Sequence, residues 1–218
     1  MQDHCNAFSV FFAASAAATL GNFSDALHFV SQIQLLEMQV LKVQILLLMN
    51  RGDLATEEAR RIAAQNDDSF LSKLATSLVD TVQGNPQEAY LSLGDVEALC
   101  QQQHTPQAAT SSVLLNGKAV ASIQKREWAE ALEDALKAYQ QTPQDGDTLV
   151  NLICCCRNLK KNQDADFYTE RLASVAPSHP MVMKMRELHA VFANFNAGAA
   201  SSPPPAAAAG RPVAQSIL

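Results

Sequence analysis

Cys154, Cys155 and Cys156 form a run of adjacent thiols, the strongest concentration of reactive side chains in the sequence. Thiols in number can ligate zinc or exchange disulfides. Consecutive side chains on a helix point in different directions, so these three cannot converge on one metal. No CxxC occurs, and no Cys/His spacing suits a structural zinc. With Cys5 and Cys100 the chain holds five cysteines, an odd count. They read as reduced thiols of a cytosolic protein, serving as small apolar residues. Cys100 and His104 lie four apart on an expected helix, but a lone pair of this kind is unspecific. Asp67–Asp68 and Glu57–Glu58 are neighbouring carboxylates that diverge on a helix and suit a solvated face. None of the histidines (His4, His28, His104, His179, His189) sits in an HExxH, and GxSxG, Walker and GxGxxG patterns are absent. The expectation is a protein without catalysis, cofactor or metal site.

Function must then come from shape and surface. The formal net charge is −6, and no basic cluster is present. That disfavours nucleic acid and direct binding to an anionic membrane. Hydrophobic residues make up 48% of the chain and charged residues 17%, enough apolar material for a sizeable core. Residues 7–20, AFSVFFAASAAATL, resemble a signal-peptide core but lack a basic preceding region. The apolar run 38–49 contains Lys42 and is shorter than the roughly 20 residues needed to span a bilayer. A soluble protein is expected.

The elements that position the surface follow from a repeat. Ala131 and Ala165 are 34 residues apart, as are Pro143 and Pro177, Trp128 and Asn162, Ala138 and Leu172, Leu115 and Leu149, and Ala119 and Ile153. A 34-residue unit of two helices is the tetratricopeptide repeat. Ala131 and Ala165 are small where the second helix crosses the first. The prolines end that helix, and Trp128 supplies an apolar body near the turn. Earlier, GNFSDAL places Phe23 in the Trp128 role and Ala26 in the Ala131 role. RGDL and QGNPQEA restart helices, with Asp53 and Asn85 as N-caps and Pro86 at a first helical position. Glu57 falls where the small residue is expected in the second unit, and about eight residues are inserted near 99–106.

The fold class expected is all-α: a TPR-like alpha-alpha superhelix of about five helix pairs plus a C-terminal capping helix. Helices are predicted near 6–19, 24–35, 37–49, 53–65, 69–83, 86–103, 107–124, 128–141, 145–160, 163–175 and 179–195. Residues 1–196 form the repeat domain. The Ala/Pro/Ser-rich stretch 197–218 cannot bury enough surface to offset its ordering entropy and is expected to be a disordered tail. The concave side, lined by the first helix of each pair, should present Val113, Asn116, Val120, Val150, Cys154 and Arg157 to a partner.

Five segments carry a family resemblance: VQILLLMNRGDLATEEARR (43–61), LATSLVD (74–80), LLNGKAVASIQKREWAEAL (114–132), TLVNLICCCRNL (148–159) and SHPMVMKMRE (178–187). In this order they resemble segments of the epsilon subunit of the COPI vesicle coat, coatomer. The resemblance covers most of 20–195. It implies a cytosolic, non-catalytic coat subunit without cofactor, peripheral on Golgi membranes and COPI-coated vesicles. Its implied partner is the C-terminal region of the alpha subunit, with membrane contact only indirect, through the coat. The chain resembles the family without its N-terminal repeats, and the inserted hairpin-like element that family members use is not identifiable. An alternative is an adaptor for another peptide, such as a chaperone co-factor. Its Lys/Asn carboxylate clamp is not reproduced at Asn116 and Val120 or at Val150 and Cys154.

Overall fold

The computed structural model describes residues 7–66, 68–102 and 111–200. Among them are eleven helices and no strand: α1 Ala7–Thr19, α2 Phe23–Ser31, α3 Leu36–Leu48, α4 Gly52–Gln65, α5 Phe70–Gln83, α6 Pro86–Gln102, α7 Ser112–Gln124, α8 Trp128–Gln141, α9 Gly146–Asn158, α10 Asn162–Val175 and α11 Pro180–Ala200. The chain divides into two compact units, Met1–Ala176 and Pro177–Leu218.

In the first unit the helices pack as hairpins α1–α2, α3–α4, α5–α6, α7–α8 and α9–α10. Each second helix also packs on the first helix of the next pair, and first helices meet one another, α1 on α3, α3 on α5 and α7 on α9. The 34-residue period is visible as a parts list. In the pairs that keep it, a first helix of 13 residues, a short turn, a second helix of 14 and a four-residue connection follow one another. The first pair is shorter because α2 has only nine residues. The third is longer because α6 has 17 and residues 103–110, outside the described residues, follow it.

One small residue marks every hairpin. Ala26, Ala55, Ala89, Ala131 and Ala165 are each the fourth residue of their second helix, and each is 0% exposed. The expectation that Glu57 holds this place in the second unit is therefore corrected. Ala55 holds it, and the Glu57 side chain is largely in solvent. A methyl group there lets helix backbones approach closely. Ala131→Leu or Ala165→Leu should overpack the crossing and cost about 1–3 kcal/mol. Chemical denaturation checks this; wild-type midpoints in both variants would contradict the crossing geometry.

The turn inside each hairpin is also repeated. Gly21, Asn50, Gly84, Arg126 and Lys160 lie two residues before each second helix, with φ of 81°, 58°, 79°, 64° and 59°. The next amide then donates five residues back: Asn22 to Ala17, Arg51 to Leu46, Asn85 to Asp80, Glu127 to Ser122 and Lys161 to Cys156, at 2.8–2.9 Å. These bonds satisfy carbonyls that a helix end otherwise leaves open. Gly84 is in the left-handed region with open space around it. Gly84→Ala should cost about 1 kcal/mol through backbone strain alone. A thermal melt unchanged by this substitution would show that the turn tolerates a Cβ freely.

Of two expected caps, Asp53 is corrected and Asn85 keeps the position just before its helix. Asp53 lies inside the first turn of α4, where Arg51 donates to its carboxylate from Nε at 3.0 Å and Nη2 at 2.8 Å. Asn85 directly precedes α6, but its side-chain amide donates to Asp80 Oδ1 at 3.4 Å. Side-chain caps occur instead at Ser111, which accepts from the Leu114 amide, and Asp145, which accepts from the Thr148 amide. The α2 helix expected to reach residue 35 stops at Ser31. The array places a four-residue connection there, and no proline or glycine marks it in the sequence.

The core lies between the hairpin layers. Leu152, Cys155 and Cys156 of α9 join Ala119 of α7, Ala131, Leu132 and Ala135 of α8, and Ala165 of α10 in one cluster. Between the third and fourth pairs, the Tyr90 ring of α6 receives Lys118 Nζ at 5.2 Å and Lys125 Nζ at 4.7 Å. The second unit contains α11, where His179 Nδ1 accepts from the Met181 amide at 3.2 Å. No helix among the described residues is long and apolar enough to cross a membrane. Residues 201–218, most of the expected tail, lie outside the described residues.

Candidate partner-binding groove

First helices α5, α7 and α9 enclose an open groove of about 520 Å³. Phe70, Leu74 and Leu78 line it from α5, Val113, Gly117 and Val120 from α7, and Val150 and Asn151 from α9. Helical spacing produces this lining. Val113, Asn116 and Val120 recur every three to four residues, so α7 turns one stripe to the groove. Val113 is 75% exposed, a large apolar side chain left in solvent. Gly117 allows the close packing of α6 on α7, since a Cβ there would meet Leu93 Cδ1 at 3.3 Å.

A side-chain hydrogen-bond network links α7 to α9. Asn116 Nδ2 donates to Thr148 Oγ1 at 2.6 Å and to Asp145 Oδ2 at 3.1 Å. Asn151 Nδ2 donates to Asn116 Oδ1 at 3.2 Å. The Asp145 carboxylate thus serves both the cap of α9 and the neighbouring repeat. This network holds two first helices in register, because a buried or half-buried amide is costly to leave without partners.

Of the residues expected on the concave face, Val113, Asn116, Val120 and Val150 line this groove. Cys154 is half-buried further along α9 and is not part of the lining. Arg157 points toward its own hairpin partner, with Nη2 at 2.6 Å from Asp166 Oδ1. Among the packing residues, Phe23 joins the first core cluster and Trp128 is half-buried at the start of α8. Pro143 and Pro177 stand two residues past α8 and α10. Asn151 was not singled out from the sequence, because strict 34-residue offset from Asn116 falls on Val150.

No group of three or more metal-ligating side chains occurs among the described residues, and Cys5 and His104 lie outside them. Burial, with smaller contributions from Cys154 and Cys156, pushes the Cys155 thiol up to about 12. Cys156 is also raised, chiefly by burial. The fold therefore favours the neutral Cys155 thiol. Its contribution to stability is complete below the unfolded thiol pKa near 8.5 and is lost as pH rises toward about 12. We expect Tm to fall between about pH 9 and 11, and the fall to be smaller in Cys155→Ala. An identical alkaline profile in that variant would contradict this assignment.

The geometry defines a class: an array of tetratricopeptide-type helix hairpins carrying an apolar groove on its first helices. Solved structures agree on the fold. MamA 41-end from Desulfovibrio magneticus RS-1 is similar at TM-score 0.58 and 12% identity, covering 80% of this chain and 97% of that one. A Podosopora anserina kinesin light chain protein with nearly identical TPR-like repeats is similar at TM-score 0.59 and 15% identity, with 80% and 96% covered. The sequence model of the coatomer epsilon subunit family matches residues 2–199, and the chain belongs to that family. Coatomer subunit epsilon-2 of Oryza sativa subsp. indica is 29% identical over 166 residues, 75% of this chain and 52% of the relative. Coatomer subunit epsilon of Caenorhabditis elegans is 29% identical over 185 residues, with 83% and 61% covered. The chain thus spans about half to three-fifths of the length of these relatives.

Proposed function

We propose that this chain is a non-catalytic subunit of the COPI vesicle coat that binds the C-terminal region of the alpha subunit. The observation that carries the reading is the family match over residues 2–199. The groove on α5, α7 and α9 supports it, since an open apolar surface of this kind suits burial of a partner segment. The chain would work from the cytosol, peripheral on Golgi membranes and COPI vesicles, in Golgi-to-ER and intra-Golgi transport. Membrane contact would run through the rest of the coat. An adaptor for a chaperone-type acidic terminus is disfavoured. The groove lining offers valines and amides, and Lys or Arg are not among its residues.

The test is recovery from cells. A tagged full chain should bring down the alpha subunit and the remaining coat subunits in near-equal amounts. Recovery of chaperones without coat subunits would replace this reading with the adaptor one.

A further inference from the structure

The groove walls are apolar, and most of their polar side chains are already committed. Ser77 Oγ donates to the Leu74 carbonyl and Thr81 Oγ1 to the Ser77 carbonyl, both within α5. Ser111 Oγ accepts the capping bond from the Leu114 amide. Asn116 spends both its amide and its oxygen on Thr148, Asp145 and Asn151. Asn151 differs. Among the described residues its Nδ2 makes one bond, to Asn116 Oδ1, which leaves one amide hydrogen and the carboxamide oxygen open there. The side chain is half-buried beside Val150, on the groove wall.

An amide held by a second amide, with a donor and an acceptor left over, matches one ligand chemistry closely. A backbone peptide group offers a carbonyl acceptor and an N–H donor. In a helical ligand those groups are bonded internally. In an extended segment they are available along the chain. We propose that Asn151 is the specificity-determining residue of this groove. It pairs with the backbone of an extended partner segment whose alternate apolar side chains enter between Leu74, Val120 and Val150. Asn116 is a positioning residue that acts through Asn151. The inference rests on the coat-subunit reading for the identity of the partner. It adds which side chain reads that partner and in what conformation.

The experiment is a titration of the full chain with the purified C-terminal region of alpha coatomer. Wild type is compared with Asn151→Leu, Asn116→Ala, the double variant and Val120→Glu, and each variant's Tm is recorded. Asn151→Leu should weaken binding about tenfold or more, because the partner's backbone groups are left unmet on burial. Asn116→Ala should weaken it less, and should add nothing in the Asn151→Leu background. Asn151→Gln, which keeps the amide, should restore part of the loss. If Val120→Glu abolishes binding while Asn151→Leu binds as wild type, the assignment of Asn151 is overturned and the coat reading stands. If the losses at Asn116 and Asn151 are fully additive, Asn116 does not act through Asn151. If folded wild type does not bind the alpha region, the coat reading fails and this inference fails with it.

Discussion

Leu152→Ala is expected to destabilise the protein by about 2–5 kcal/mol, the range for truncating a fully buried leucine. Leu152 is 0% exposed in the cluster that ties α7, α8, α9 and α10 together. In a solenoid, stability is a sum of hairpin terms and nearest-neighbour interface terms. Leu152 contributes to both: it packs within the fifth hairpin and against the fourth. Its neighbours Ala119, Ala131, Ala135 and Ala165 are too small to collapse into the space left behind. For a chain of this size the loss should lower Tm by roughly 5–15 °C. Unfolding should also become less cooperative, with α9 and α10 exchanging amide hydrogens ahead of the rest. A change below about 0.5 kcal/mol, the level of a surface substitution, would contradict the packing of these two hairpins.

The second large effect is on binding. Val113→Glu/Val120→Glu should reduce affinity for the alpha region at least about 100-fold, because both carboxylates would be desolvated against apolar surface. Val113 is in solvent and Val120 half-buried in the free chain, so folding should be nearly unaffected. Circular dichroism and a melt check folding, and a titration reads affinity. Unchanged affinity in a folded double variant would move the interface away from this groove.

The fold was largely legible because its signal is a spacing. Ala131, Ala165, Pro143 and Pro177 share one offset, and that offset is one hairpin plus its connections. Ala55 and Ala89 belong to the same ladder and also lie 34 apart. They were obscured because the nine-residue α2 and the long α6 shift the register on either side of them. The hairpin turns were legible where glycine holds the left-handed position, at Gly21 and Gly84. Arg126 and Lys160 adopt the same backbone, but neither residue type signals a positive φ. The caps divided similarly. Asp145 and Ser111 cap helices, whereas Asp53 has the right residue type but answers to Arg51.

The groove was legible only in part. Helical periodicity placed Val113, Asn116, Val120 and Val150 on one side of the array. It also suggested Cys154 and Arg157. Arg157 is drawn off by Asp166 of α10, a pairing across the hairpin turn that no period within α9 can reveal. Asn151 was missed because the hydrogen bond to Asn116 spans 35 residues. Asn116 is bonded to Thr148 and Asn151, 32 and 35 residues further on, so neither partner falls on the 34-residue offset.

Isothermal titration of the purified full chain with the purified C-terminal region of alpha coatomer, over a series of salt concentrations, decides whether this chain binds as a coat subunit. A one-to-one complex of micromolar or tighter affinity that changes little with salt is expected for an apolar groove. No complex with a folded, monomeric chain at any salt would contradict the coat-subunit reading.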